Sequence, residues 1–153
     1  MLTAVVVLLL ALAGACGDDN GSDDAAATAD AAVSVVDPVM AVPAGSTGAA
    51  YMTIENPGPE PDTLLGARTD GGEMAMVHRT AIADDGQATM ADAGALEVPA
   101  GGELVLAPGG LHLMVGVPEG LAPGDVVGLV LEFADAGEIG VDVEVVAPGE
   151  VTG

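Results

Sequence analysis

Glycine and proline cut this chain into short apolar runs, and this limits what it can fold into more than any other feature. Past residue 32 the runs read "VSVVDPVMAVP", "GAAYMTIENPGPEPD", "TLLGART", "EMAMVHRTAI", "QATMAD", "LEVPAGG", "ELVLAPGG", "LHLMVGV", "VVGLVLEF" and "IGVDVEVV". About ten β-rich runs at this spacing predict an all-β sandwich or barrel. The 23 glycines and 10 prolines supply the turns. No segment past the leader sustains a helical period with caps. The core must come from Val, Leu, Ile, Ala and Met, because Tyr51 and Phe133 are the only aromatic residues. That scarcity excludes aromatic sugar platforms and base-stacking surfaces as main binding modes.

The start of the chain reads differently. Residues 1–15, "MLTAVVVLLLALAGA", carry no charged side chain, and Cys16 follows. A membrane span needs about 20 apolar residues, so this shorter run is expected to be a signal peptide. Cys16 stands where a lipobox places its lipidated cysteine, after Ala13-Gly14-Ala15, although position 13 usually holds Leu. The expectation is a lipoprotein cleaved before Cys16. Residues 16–32 are acidic and small, with nothing large to bury, and are expected to be a disordered tether. The folded domain is expected over 33–153, enough chain for one core. It contains no cysteine, so it has no disulfide, no thiolate metal site and no cysteine nucleophile.

The net charge is −22, from 24 acidic residues against two arginines and no lysine. Nucleic acid is therefore excluded as a partner, since its phosphates need basic residues. A basic patch for anionic lipid headgroups is excluded too, which leaves a lipid anchor as the only route to the membrane. The acidity keeps the chain soluble and also draws cations toward its surface.

Enzymatic readings fail quickly. There is no nucleophile elbow, no phosphate-binding loop ending in Lys and no H-E-x-x-H. The chain is read as a non-enzyme. What stands out is the placement of His and Met. Alternate side chains of a strand share a face, so His112 and Met114 point the same way. Met74, Met76 and His78 also share a face. A turn at "ADDG" can fold Met90 back beside His78. His78, Met90, His112 and Met114 can then converge from three adjacent strands, with Met76 as an auxiliary sulfur. Met40 and Met52 read as core. For Met74 and Met76, flexible surface contacts or core packing remain open. Two imidazoles and two thioethers form a neutral donor set that suits Cu(I), not Mg or Ca, which want oxygen. Zinc prefers Cys, His and carboxylate.

These residues resemble the signature of the periplasmic copper chaperones of the PCu(A)C type, His-x10-Met-x21-His-x-Met. Met90 is followed by 21 residues and then His112-Leu113-Met114. The segments "GAAYMTIENPGPEPDTLLGA", "LEVPAGGELVLAPGGLHLMVGV" and "LAPGDVVGLVLEFADAGEIGVDVEVV" also look like the family. The chain departs from it by one residue, since 11 residues and not ten separate His78 from Met90. The turn Ala83-Asp84-Asp85-Gly86 is expected to absorb the extra residue without flipping a strand face. "EMAM" before His78 adds sulfur where the family often has other residues.

The resemblance implies a cupredoxin-like β-sandwich with Greek-key topology. It implies metal ligation by His78, Met90, His112 and Met114. It further implies an exported Cu(I) carrier for cytochrome c oxidase or its assembly factors, held on the outer side of the cytoplasmic membrane. A blue-copper electron carrier would need a Cys ligand, which the domain lacks. The competing reading is a cell-surface β-sandwich lipoprotein with a structural or adhesion role and no metal.

Overall fold

The computed structural model describes residues 32–84 and 86–151. The expected leader, Cys16 and all of the expected tether except Ala32 lie outside the described residues. Ten strands follow in order: β1 (Ser34–Ala41), β2 (Thr47–Asn56), β3 (Asp62–Thr69), β4 (Met74–Ile82) and β5 (Ala88–Asp92). Then come β6 (Leu96–Val98), β7 (Gly102–Leu106), β8 (Leu111–Gly116), β9 (Val126–Phe133) and β10 (Glu138–Val146). The described residues are all-β and contain no helix.

Local sequence makes these strands by alternation. In β2, Gly48, Ala50, Met52, Ile54 and Asn56 are buried, while the residues between them are half-buried or exposed. β9 and β10 alternate in the same way. One face of each of these strands lies on the core and the other faces solvent, as expected of largely antiparallel sheets, whereas β5 is exposed along its whole length. Met40, Ile54, Leu64, Leu113, Leu129 and Leu131 are fully buried. Each such side chain contributes about 1.5–3 kcal/mol relative to exposure. Met40 and Met52 belong to this core.

The hydrogen-bonded path runs β5-β4-β8-β2-β1-β10-β9-β3-β6, with β7 added on β2 and a further pairing of β4 with β3. That last pairing, Ala67 with Ala75 and Arg68 with Met74, closes the two layers of the sandwich into a flattened barrel. β1 runs parallel to β10, and the other ladders are antiparallel. β2 is shared lengthwise: its first half pairs β8 and its second half pairs β7. β3 is shared likewise between β4 and β6.

Two buried polar side chains tie the loops at one end of the barrel. The Asn56 side-chain amide donates to the Glu60 and Val98 carbonyls at 2.8 and 3.2 Å, and its oxygen accepts from the Gly58 N–H at 3.0 Å. Asp62 accepts from the backbone N–H groups of Thr63, Asp135 and Ala136 at 2.6, 3.0 and 2.9 Å. Burial pushes the Asp62 carboxyl up. The backbone N–H groups of Asp135, Ala136, Thr63 and Ala134 outweigh this and hold it below the usual carboxylate range.

Candidate metal centre

β8 breaks the alternation. Leu113 and Val115 point into the core, so His112 and Met114 point outward, yet His112 is only 3% exposed. Its neighbours on the flanking strands explain the burial. The Tyr51 ring from β2 stands 6.3 Å from the His112 ring, tilted by 46°. From β4 the His78 ring stands 6.0 Å away, nearly perpendicular at 78°. His112 is therefore walled in on the outer face of the sheet by two rings from adjacent strands.

The β4–β8 ladder sets the rest. His78 is opposite His112 and Met76 is opposite Met114. Residues directly opposite one another share a face and stand about 5 Å apart at Cβ. Two imidazoles and two thioethers thus form a square on one face, across one pair of strands. On the β2 side, Met114 is opposite Ala49, whose small side chain leaves the thioether room.

Met90 enters from β5. It is opposite Thr80, and Asp92 is opposite His78. Thr80 and His78 share a face, so Met90 lies on that face too, diagonal to His78. Diagonal neighbours are about 7 Å apart, within reach of a long side chain. The hairpin turn allows this. The Ala83 N–H donates to the Gln87 carbonyl at 2.9 Å, the Gly86 N–H donates to the Ala83 carbonyl at 2.8 Å, and Gly86 takes a positive φ of 81°. Met90 itself is 59% exposed. The five residues His78, Met90, His112, Met114 and Met76 therefore lie on one face of three adjacent strands. Met76 stands in closer register with the second His-Met pair than Met90 does.

The imidazole nitrogens suit a metal ion. The His78 Nδ1 is buried with no hydrogen-bond partner. Leaving a buried polar atom unpaired costs about 1–3 kcal/mol, and coordination would satisfy it. With its proton on Nδ1, His112 donates to the Gly110 carbonyl oxygen at 3.4 Å. Its Nε2 then keeps a lone pair, the arrangement that holds a ligating histidine in one tautomer. Among the described residues no three His, Cys, Asp or Glu side chains gather as a hard-ligand site. The donors brought together are imidazole and thioether, which favour a soft monovalent ion. Sequence reasoning missed Tyr51 and Asp92 as neighbours of the histidines. Their place depends on which strands lie side by side, and no local spacing records that.

Comparison with known proteins follows the same lines. The family model "Putative lipoprotein LpqE-like" matches residues 29–145. A relative from Leifsonia xyli subsp. xyli (strain CTCB07), "Putative lipoprotein Lxx21020", is 33% identical over 99 residues, 63% of this chain. The match spans 58% of that relative's own length. Among solved structures, the copper-bound PCuAC domain from PmoF2 superposes with a TM-score of 0.61 at 25% identity, over 76% of this chain and 93% of that one. The Cu(I) form of DR1885 from Deinococcus radiodurans gives 0.60 at 28% identity, over 85% and 87%. With its model matched across nearly the whole barrel, the chain belongs to the LpqE-like lipoprotein family and has the fold of the PCuAC domains.

Proposed function

We propose that this protein is an exported carrier of Cu(I), which it binds as cargo between β4, β5 and β8. The observation that carries this reading is the in-register pairing of His78 with His112 and Met76 with Met114, with the buried His78 Nδ1 lacking any partner. His78, His112 and Met114 are the principal ligands, Met90 closes the site from the hairpin, and Met76 is an auxiliary sulfur. Bound by neutral donors, Cu(I) leaves a net charge of +1, which the surrounding negative field stabilises. The copper-bound PmoF2 domain and Cu(I)-DR1885 share the fold, which supports a copper cargo here.

A carrier must release what it binds. Ligands on the outer face of a sheet, some of them flexible thioethers, can be replaced one at a time by those of an acceptor. We assign the acceptor to the assembly of the copper centre of cytochrome c oxidase, or to its assembly factors. Membership of a lipoprotein family supports cleavage before Cys16, lipidation there and anchoring on the outer side of the cytoplasmic membrane, with residues 16–32 as a tether. One acyl chain binds a membrane only marginally, so a stable anchor needs more than one. The carrier performs no catalysis of its own.

The test is an anaerobic titration of the purified protein with Cu(I) against a competing chelator. One tightly held Cu(I) is expected. A stoichiometry near zero overturns the reading and leaves a structural or adhesive β-sandwich lipoprotein. For the anchor, Cys16→Ser should move the protein from the membrane fraction to the soluble fraction, and an unchanged distribution would refute lipidation.

A further inference from the structure

The sulfur-rich "EMAM" segment before His78 has a residue that the site above does not use. Met74 is 76% exposed and Met76 is 49% exposed, while Ala75 and Val77 between and beyond them carry the core face of β4. Neither methionine fills the core, so packing does not account for them. Both lie on the face of His78, two residues apart along the strand.

Their surroundings are open and electronegative. Ala75 is opposite Val115, so the next step of the β4–β8 register sets Met74 beside Gly116, which offers no side chain to cover it. A Cβ built on Gly116 would lie 3.5 Å from a carboxylate oxygen of Glu73. The Glu73 carboxylate therefore stands beside the same spot. On the other side Met74 is opposite Arg68 of β3. That guanidinium is paired with Glu138 at 2.9 Å and stands 3.8 Å from Glu132, so its charge is offset. Met114 lies directly across from Met76.

We propose that Met74 and Met76, backed by the Glu73 carboxylate, form an outer position for a soft monovalent cation adjoining the His78–His112 site. The inference rests on the inner Cu(I) site proposed above. Cu(I) passes between the two positions by ligand exchange through Met114, which stands within reach of both. Each step forms one bond to copper and breaks another, and no electron moves. Two thioethers without an imidazole hold the ion less tightly than the inner site, which suits an entry or hand-over point. The position is exposed, so an acceptor can reach a cation there without first displacing the ring of Tyr51 or His78.

The experiment is an Ag(I) titration in chloride-free buffer of purified protein labelled with 13C at the methionine ε-methyl groups. Ag(I) serves as a redox-inert stand-in for Cu(I). The first equivalent is expected to move the Met114 methyl resonance, and a second, weaker saturable step is expected to move that of Met74. Met74→Leu should remove the second step and keep the first. A Met74 methyl that never saturates while Met114 does, or a second step that persists in Met74→Leu, overturns the outer position alone. A Met114 methyl that never moves overturns the inner site. If both methyls stay still, both assignments fall.

Discussion

His78 and His112 face each other across the β4–β8 ladder, with ring centroids 6.0 Å apart and ring planes near perpendicular. One ring sits on the hairpin strand and is half-buried. The other is almost wholly enclosed on the outer face of the sheet. The pair forms the more enclosed half of the candidate site, beside the exposed thioethers of Met76 and Met90.

Met114→Leu is the cleanest probe of that half. The substitution conserves volume and costs less than about 1.5 kcal/mol of stability, yet it removes a sulfur from the His-Met square. Cu(I) affinity should fall by at least about tenfold, on the scale seen when a metal site loses a supporting group, while the thermal midpoint changes little. Competition with a Cu(I) chelator reads the first quantity and circular dichroism the second. Unaltered affinity would remove Met114 from the ligand set.

Met90→Leu should weaken Cu(I) binding less than Met114→Leu does. Met90 is diagonal to His78 and not opposite it, and it is largely exposed. A longer methionine reach is needed, and more side-chain entropy is lost on binding. The same chelator competition ranks the two variants. A larger loss for Met90→Leu would show that the hairpin closes on the metal more tightly than the register implies.

Gly48→Ala should destabilise the barrel. A Cβ at Gly48 would stand 2.5 Å from the Met40 sulfur, and Met40 is fully buried, so its thioether must shift within the packed core. Overpacking of this kind costs about 1–3 kcal/mol. Urea denaturation should show the loss. Combined with Met40→Ala, the cost should be smaller than the sum of the two single costs, because the added methyl occupies space the sulfur has left. Strict additivity would argue against the clash.

Asp62 should make stability depend on acid. Its folded-state carboxyl is held below the ordinary value, so the unfolded chain takes up the proton first as pH falls. The contribution is fully present above the unfolded value of about 3.9 and is lost as pH drops through the depressed folded value. Asp62→Ala removes the acceptor for three backbone N–H groups. It should cost about 1–3 kcal/mol at neutral pH, with the gap from wild type narrowing in strong acid. Denaturation curves at several pH values check both parts, and a gap that is constant with pH would contradict the linkage.

The chain's own letters determine much of this. Alternating apolar residues mark the strands, because a pleated strand with one buried face repeats every two residues. The same parity places Met74, Met76 and His78 together and His112 with Met114. The turn that contains Gly86 folds Met90 back onto the face of His78. What the letters do not determine is which strands become neighbours and in what register. β4 and β8 are far apart in sequence, and their pairing follows from hydrogen bonds and core packing across the whole barrel. Only that pairing sets His78 against His112 and Met76 against Met114, and brings Tyr51 from β2 to cover His112. Side-chain parity is a local property of the backbone. The alignment of donors into a site is a property of the closed sheet.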